Sequence, residues 1–545
     1  MHRTSKIFVY LFGGLLTLGS QTSCKKGWLD VNYNPRDLTD NSATPDLILA
    51  GQLENCIANR QARFAMQWMG YWCHYQGPMG IDVQTYYHID AHPNSALFSA
   101  TPAPEIFYLE QKSRQLGETF YEGIAKVLRA YQWARCVDVV NNMPYTDAYD
   151  AKVLQPRYDD GKAIYEDLIR QLDSAMTMIR NADVNKNNKL SVSDIMFHGD
   201  KLKWQRFINT LKLRLLVHQA NRPDRAAYIA TAIQTIKDEG SGFLGSGEDA
   251  SVNPGYSIQK KLSWYFGHYS NNNQWGGGDY DAETQVQSNQ VSHANVVAMN
   301  FLKADHDPRL GLFYDSVQSP LPPSAPEPFA QPNPQEFRGS IFGKFVDYIN
   351  YPYQESFNLS CIGGGSKNND VVSPFAQGLI KGRDMSDWVM TSVESFFLQA
   401  EAIQRGWLPG DPEQAYLAAV KESFRWLNAG GNSTMPALSD AVFDTWYASE
   451  SANTNVSWAA APDKYKLLMY QKYMAFNGIE PLETWTDYRR NGRYPDLPAS
   501  ADPARVGNTI PNRLEYDANE YLVNAEHVNA QGKIDVFTGK IWWMP

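Results

Sequence analysis

Lys203 to Gln219 reads KWQRFINTLKLRLLVHQ. Trp204, Phe207, Ile208, Leu211 and Leu215 recur at the spacing of one face of an α-helix, while Lys203, Lys212 and Arg214 take the other side, which predicts an amphipathic helix with those three cations in solvent. Working outward, Tyr121 to Asn141 repeats the pattern with Ile124, Val127, Leu128, Tyr131, Ala134, Val137 and Val140, and Ile164 to Ile179 repeats it again. Downstream, Arg222-Pro223-Asp224 interrupts the helical text before Ala226 to Lys237 resumes it, because proline cannot continue a helix interior. Ser392 to Gln404, Pro412 to Leu427 and Lys464 to Asn477 are further helical segments. The segments come in antiparallel-looking pairs without a clean repeat of fixed length. The expected fold is mostly α, with tetratricopeptide-like helical hairpins forming a scaffold and long irregular loops carrying the binding surface.

Two stretches stand apart from the helices. Residues 241–290 are rich in Gly, Asn, Ser and Tyr, and residues 305–386 carry Pro320-Leu321-Pro322-Pro323 and the glycines 363–365. Loops of that length in a globular chain are usually functional or disordered. Trp264, Tyr265, Phe266, Tyr269, Trp275 and Tyr280 are too dense in the first stretch for disorder.

The amino terminus reads as an export leader. Arg3 and Lys6 precede the apolar run Ile7 to Leu18, whose 12 residues fall short of the roughly 20 that a membrane-spanning helix needs. Gly19-Ser20-Gln21-Thr22-Ser23 then leads to Cys24, which resembles a bacterial lipoprotein cleavage site with Cys24 as the lipidated residue. Residues 1–23 are thus expected to be a signal peptide, and residues 24–545 a single helical domain with loop insertions at 241–290 and 305–386. The 545-residue chain has 49 basic and 59 acidic residues and a net charge of −10. Losing Arg3 and Lys6 with no acid takes it to −12. Such a balance argues against a nucleic-acid surface, which needs a basic footprint, and suits a neutral ligand better than an anionic one.

Catalytic motifs are missing: no HExxH, GxSxG or Walker A loop occurs, and no CxxC pair. Cys56, Cys73, Cys136 and Cys361 are either disulfide partners or buried free thiols. No cofactor is expected, calcium excepted. Asp183, Asn185, Asn187 and Asp194 occupy positions 1, 3, 5 and 12 of an EF-hand-like loop, although Asn188 replaces the usual glycine and Asp194 is shorter than glutamate. The strongest functional stretch is Trp264 to Tyr280 (WYFGHYSNNNQWGGGDY). Sugar rings offer C–H faces to aromatic rings and hydroxyls to amides and carboxylates, which nominates Trp264, Tyr265, Tyr269, Asn272, Trp275 and Tyr280, with Trp72 from a second cluster, as ligand-binding residues.

The chain also resembles the SusD/RagB family, outer-membrane lipoproteins of Bacteroidetes that bind nutrients. The blocks that carry the resemblance are Cys24-Lys25-Lys26-Gly27-Trp28-Leu29-Asp30, Met143-Pro144-Tyr145-Thr146-Asp147, His198-Gly199-Asp200 through Arg214, and Asp307-Pro308-Arg309-Leu310. Further on come Phe397-Leu398-Gln399-Ala400-Glu401-Ala402, Gln471-Lys472-Tyr473 through Arg489-Arg490-Asn491-Gly492, and Ile510-Pro511-Asn512-Arg513, all in family order. The resemblance implies a glycan-capturing, non-enzymatic lipoprotein held at the outer membrane through Cys24, facing the extracellular side and delivering its oligosaccharide to a SusC-like TonB-dependent transporter. An extracellular glycoside hydrolase and a transporter-assembly subunit without its own ligand are the competing readings.

Overall fold

A computed structural model describes residues 43–58, 63–74, 83–87, 102–150, 152–257, 260–261, 263–269, 292–316, 336–344, 359–360, 362–363, 378–382, 384–428 and 440–545. Met1–Thr44 and Pro45–Pro545 are separate units, and the second carries the helical fold.

Its frame is a series of helical hairpins. α1 (Glu105–Leu116) turns through Gly117, whose left-handed backbone lets the Glu118 N–H return to the Ser113 carbonyl, into α2 (Thr119–Val140). After the two-residue ladder of Met143–Pro144 with Tyr158–Asp159, Asp160 caps α3 (Gly161–Asn181) by accepting from the Ala163 N–H. α2 and α3 approach closely at Gly123, where a Cβ would lie 2.7 Å from Ile179 Cγ1. Asp200 caps α4 (Lys201–His218) through the Leu202 and Lys203 N–H groups. Pro223–Arg225 forms the expected break as a 3₁₀ turn before α5 (Ala226–Glu239). In the second half, α6 (Trp264–Tyr269) is followed by a hairpin of α7 (Ser392–Gln404) with α8 (Pro412–Asn428), and then by α9 (Lys464–Ala475) and α10 (Pro481–Arg490). α7 packs on α4 and on α9, which joins the two halves.

α4 departs from its amphipathic expectation. From Phe207 to His218 every side chain is buried, Lys212 and Arg214 at 2% exposure included. Of the three cations expected in solvent only Lys203 is there. The reason is pairing: Lys212 meets Asp173 of α3 at 2.5 Å, and Arg214 grips both oxygens of Glu394 of α7 at 2.5 Å each. Burial of a charge is tolerated only with such partners.

The two loop stretches contribute to the frame too. Ala250–Val252 is a strand paired antiparallel with Asp387–Met390. Asp307 holds the buried Arg309 guanidinium, which also donates to Ser423 and Gln471 and so fixes the short helix Leu310–Phe313 on α8 and α9.

Candidate functional site

The aromatic segment begins on α6, a helix of six residues that cannot sustain itself in isolation. Its start is held by Asp387, first residue of the Asp387–Met390 strand. That fully buried carboxylate accepts from the Ser263 hydroxyl at 2.7 Å, the Trp264 N–H at 2.8 Å and the Tyr265 N–H at 2.9 Å. Burial raises the Asp387 pKa, and the donors pull it back.

Below α6 lies a column of aromatic rings. The Tyr265 hydroxyl donates to the Gly478 carbonyl at 2.9 Å, and its ring centroid sits 4.5 Å from that of Trp388. The Trp388 indole donates to the Ile479 carbonyl at 3.0 Å and meets Trp426 edge-on at 5.1 Å. Trp426 in turn donates to Asp249 at 2.7 Å, whose other oxygen accepts the Ser392 N–H. The Lys381 ammonium lies 4.4 Å from the Trp426 ring; burial lowers its pKa to about 7, against the pull of Asp249. At the centre is Gly478, with φ +74°, where a Cβ would stand 2.4 Å from Leu379, 3.0 Å from Trp72 and 3.2 Å from the Tyr265 hydroxyl.

Several chain segments are stitched together at this hub. Gly363 donates to Phe313, Leu379 to Leu312 and Gly363, and Gly378 to Leu427. Trp72–His74 pairs with Ser292–Ala294, the Tyr314 hydroxyl donates to the Tyr71 carbonyl, and Asn477 donates to the Tyr314 hydroxyl. The irregular segments therefore start and finish on one shared anchor, the arrangement in which a rigid scaffold positions binding loops.

The nominated residues divide unevenly over this site. Trp264 is half-buried at the head of α6. Tyr265 and Trp72 are brought together at Gly478 but are 1% and 3% exposed, so they pack the hub, which corrects the expectation that their rings contact ligand. Tyr269 ends α6, and Asn272, Trp275, Tyr280, Cys24 and the 1–23 leader lie outside the described residues. In the calcium-like stretch, the Asn187 side-chain oxygen accepts from the Phe120 and Tyr121 N–H groups. Both Asp194 oxygens are engaged by four donors, the N–H groups of Met196, Phe197 and Gly199 and the Trp204 indole. Asp183 caps a 3₁₀ turn through the Asn185 N–H. These are turn and cap roles.

Cys56, Cys73 and Cys136 are buried free thiols, and Cys361 lies outside the described residues. Burial raises Cys56 to about 11 and Cys73 and Cys136 to about 12, so none is a thiolate nucleophile. Asp138, His218 and Glu483 draw together in the core like metal ligands. The imidazole, however, stands between the carboxylates: Nε2 faces Glu483 at 2.7 Å, while Nδ1 faces Tyr165 at 2.9 Å and Asp138 at 3.4 Å. Asp138 also accepts the Trp543 indole at 2.7 Å. With a carboxylate facing each ring nitrogen, the geometry favours an imidazolium clasped between two acids. Burial pulls the His218 pKa down, but Glu483 and Asp138 carry it up to about 9. The arginines of α10 are structural as well: Arg490 pairs with Glu401 at 2.6 Å, and Arg489 lies over the Trp485 ring at 3.5 Å. Helical spacing offers no signal for the Arg490–Glu401 pair or for the His218 clasp, whose members lie far apart in the chain.

A profile of the SusD-like family, described as starch-binding and associating with the outer membrane, matches residues 39–517. A SusD homologue from Bacteroides fragilis superposes with a TM-score of 0.68 at 17% identity, covering 92% of this chain and 99% of its own. One from Bacteroides uniformis gives 0.67 at 19% identity, covering 92% and 98%. A chitin-binding SusD homologue from Flavobacterium johnsoniae gives 0.65 at 20% identity, covering 92% and 98%. No curated protein matches the chain.

Proposed function

Because the chain belongs to the SusD-like family, a family of carbohydrate-binding proteins of the outer membrane and not of enzymes, we propose that it captures an oligosaccharide and delivers it to a partner TonB-dependent transporter. Lipid on Cys24 tethers it to the outer membrane on the extracellular side. Among the described residues no helix is long and apolar enough to cross a bilayer. The observation that supports capture is the mount of α6. A buried carboxylate and a column of rings hold Trp264, half-buried, at the head of a run rich in Asn, Gly and aromatics. Rigid support beneath an amphipathic aromatic surface suits sugar faces, whose binding gains from rings that need no ordering. Trp264, Tyr269, Asn272, Trp275 and Tyr280 are the proposed contacts.

Two of the similar solved structures are described as chitin-binding, which makes chitin oligosaccharides the first ligands to test beside neutral plant and host glycans. Calorimetry on the purified chain, with assay of released reducing ends, decides the matter. Saturable binding without release is the expected result. Release would establish hydrolysis instead, and no saturable binding across the panel would leave only a role in assembly.

A further inference from the structure

Glu480 stands at the N-cap of α10, fully buried. Its side chain accepts none of the α10 N–H groups, and among the described residues neither of its carboxyl oxygens meets a hydrogen-bond donor. A carboxylate closed to water and without donors is costly to keep charged, and such a group takes up a proton instead. The charged groups that face it come from several helices: Glu483 on α10 itself, Glu394 on α7, Arg214 on α4 and Arg135 on α2, with the Tyr131 hydroxyl beside Arg135. Further out, His218 of α4 is held by Glu483 at 2.7 Å and Lys472 of α9 by Asp487 at 2.8 Å.

Neither guanidinium donates to Glu480. Arg214 gives Nε and Nη2 to Glu394 at 2.5 Å each, while its Nη2 stops 4.0 Å from Glu480 and its Nη1 3.7 Å from Glu483. Arg135 donates to the Tyr131 hydroxyl at 2.8 Å and to the Ala58 carbonyl at 2.6 Å. One guanidinium thus faces three carboxylates and hydrogen-bonds Glu394. Burial and the neighbouring Glu394 charge hold the Glu480 pKa well above the usual carboxylate range, against the pull of Arg214 and Arg135. Of these two coupled acids Glu394 keeps the donors, so a shared proton resides on Glu480. A metal ion in its place would be repelled by the two fixed guanidinium groups.

The position of this acid gives its proton a consequence. Gly478 and Ile479, just before Glu480, supply the carbonyls that accept Tyr265 and Trp388. Glu394 lies in the first turn of α7, straight after the Asp387–Met390 strand, and Tyr131 donates to the Val389 carbonyl of that strand at 3.1 Å. The two acids therefore stand on the two backbone pieces that the ring column joins, and charging both sets like charges against each other there.

We infer that Glu480 is a proton-binding site, neutral in the folded protein at neutral pH, and that release of its proton in alkaline solution loosens the hub under α6. The proton site requires no glycan, so it holds or fails separately from capture. Full-length wild type is compared with Glu480→Gln, which keeps the shape without the charge, and with Glu480→Met as a second neutral variant. Infrared difference spectra at about pH 7.5 read the C=O stretch of a neutral carboxyl, urea melts from about pH 5 to 9 read stability, and hydrogen–deuterium exchange at equal pH reads peptides covering 263–269 and 476–483. An acid whose folded pKa is raised loses stability as pH climbs above its unfolded pKa, so the wild-type folding constant should fall relative to either variant by up to tenfold per pH unit above about pH 4.3. Titration of His218 is common to all three proteins and drops out of that difference. Also expected are a neutral-carboxyl band in wild type that both variants lack, and faster exchange of both peptides in wild type than in the variants at about pH 9. Identical carboxyl bands, or a stability gap that does not change with pH, overturn the proton site. A proton site accompanied by equal exchange overturns its coupling to the hub.

Discussion

Replacing Asp387 tests whether the hub under α6 serves ligand capture. The carboxylate satisfies two backbone N–H groups and one hydroxyl in a place closed to water. Asp387→Ala strands all three donors. A buried unpaired donor costs about 1–3 kcal/mol and a lost helix cap about 1 kcal/mol, so the local cost is on the order of 3 kcal/mol. α6 has six residues, and the Ser263 hydroxyl that accepts the Phe266 N–H is itself held by Asp387, so this cost falls on the placement of Trp264. If the competent arrangement is thereby made a minor state, the apparent Kd rises by the inverse of its population, about tenfold to a hundredfold. Global stability changes little, because unfolding entropy scales with length and about 3 kcal/mol corresponds to only about 3 °C of melting temperature in a chain of this size. Calorimetry with the best ligand from the glycan panel, run beside a thermal melt, reads both quantities, with Trp264→Ala as the direct comparison. Asp387→Asn keeps one acceptor oxygen and should fall between wild type and alanine. A melt lowered by a few degrees together with a Kd within twofold of wild type would refute the reasoning, because the segment would then have lost its mount without loss of binding.

The remaining predictions concern the core. His218 has a folded-state pKa raised to about 9, above the ordinary 6.5. Its contribution is therefore fully present below about pH 6.5 and is lost as pH rises through about 9, roughly 3 kcal/mol in all. Urea melts at pH 6, 7.5 and 9 should show that loss in wild type and a flatter profile in His218→Gln; parallel profiles would sink the clasp. Gly478→Ala forces a Cβ to 2.4 Å from Leu379 at a left-handed position and should cost about 2–4 kcal/mol with weakened glycan binding, whereas Gly532→Ala, at φ +79° with nothing near, should cost about 1 kcal/mol. Equal costs would show that the hub gives way to the added methyl. Arg214→Met leaves Glu394 buried without its partner and should lose about 3–5 kcal/mol, part of it restored in Arg214→Met/Glu394→Leu. An additive double variant in a chemical melt would deny the coupling.

The helices were legible because apolar residues at helical spacing need no knowledge of what they pack against; Ser392–Gln404 matches its expected limits at both ends. What α4 buries was not legible, because Lys212 and Arg214 read as solvated cations until Asp173 and Glu394 arrive from elsewhere in the chain. A charged residue opposite an apolar face has the same sequence appearance whether it meets water or a carboxylate. The aromatic segment shows the same limit at single-residue scale. Composition nominated Trp264 and Tyr265 alike, yet successive helical residues point about 100° apart. Asp387 fixes the rotation of α6 so that Tyr265 turns down to Gly478 and Trp388 while Trp264 stays partly open. Which aromatic braces the hub and which stays partly open is thus decided by a carboxylate 122 residues away. If Trp264 is the contact proposed above, that dependence is why substituting Asp387 and substituting Trp264 should weaken binding alike, the first through placement and the second through the lost ring.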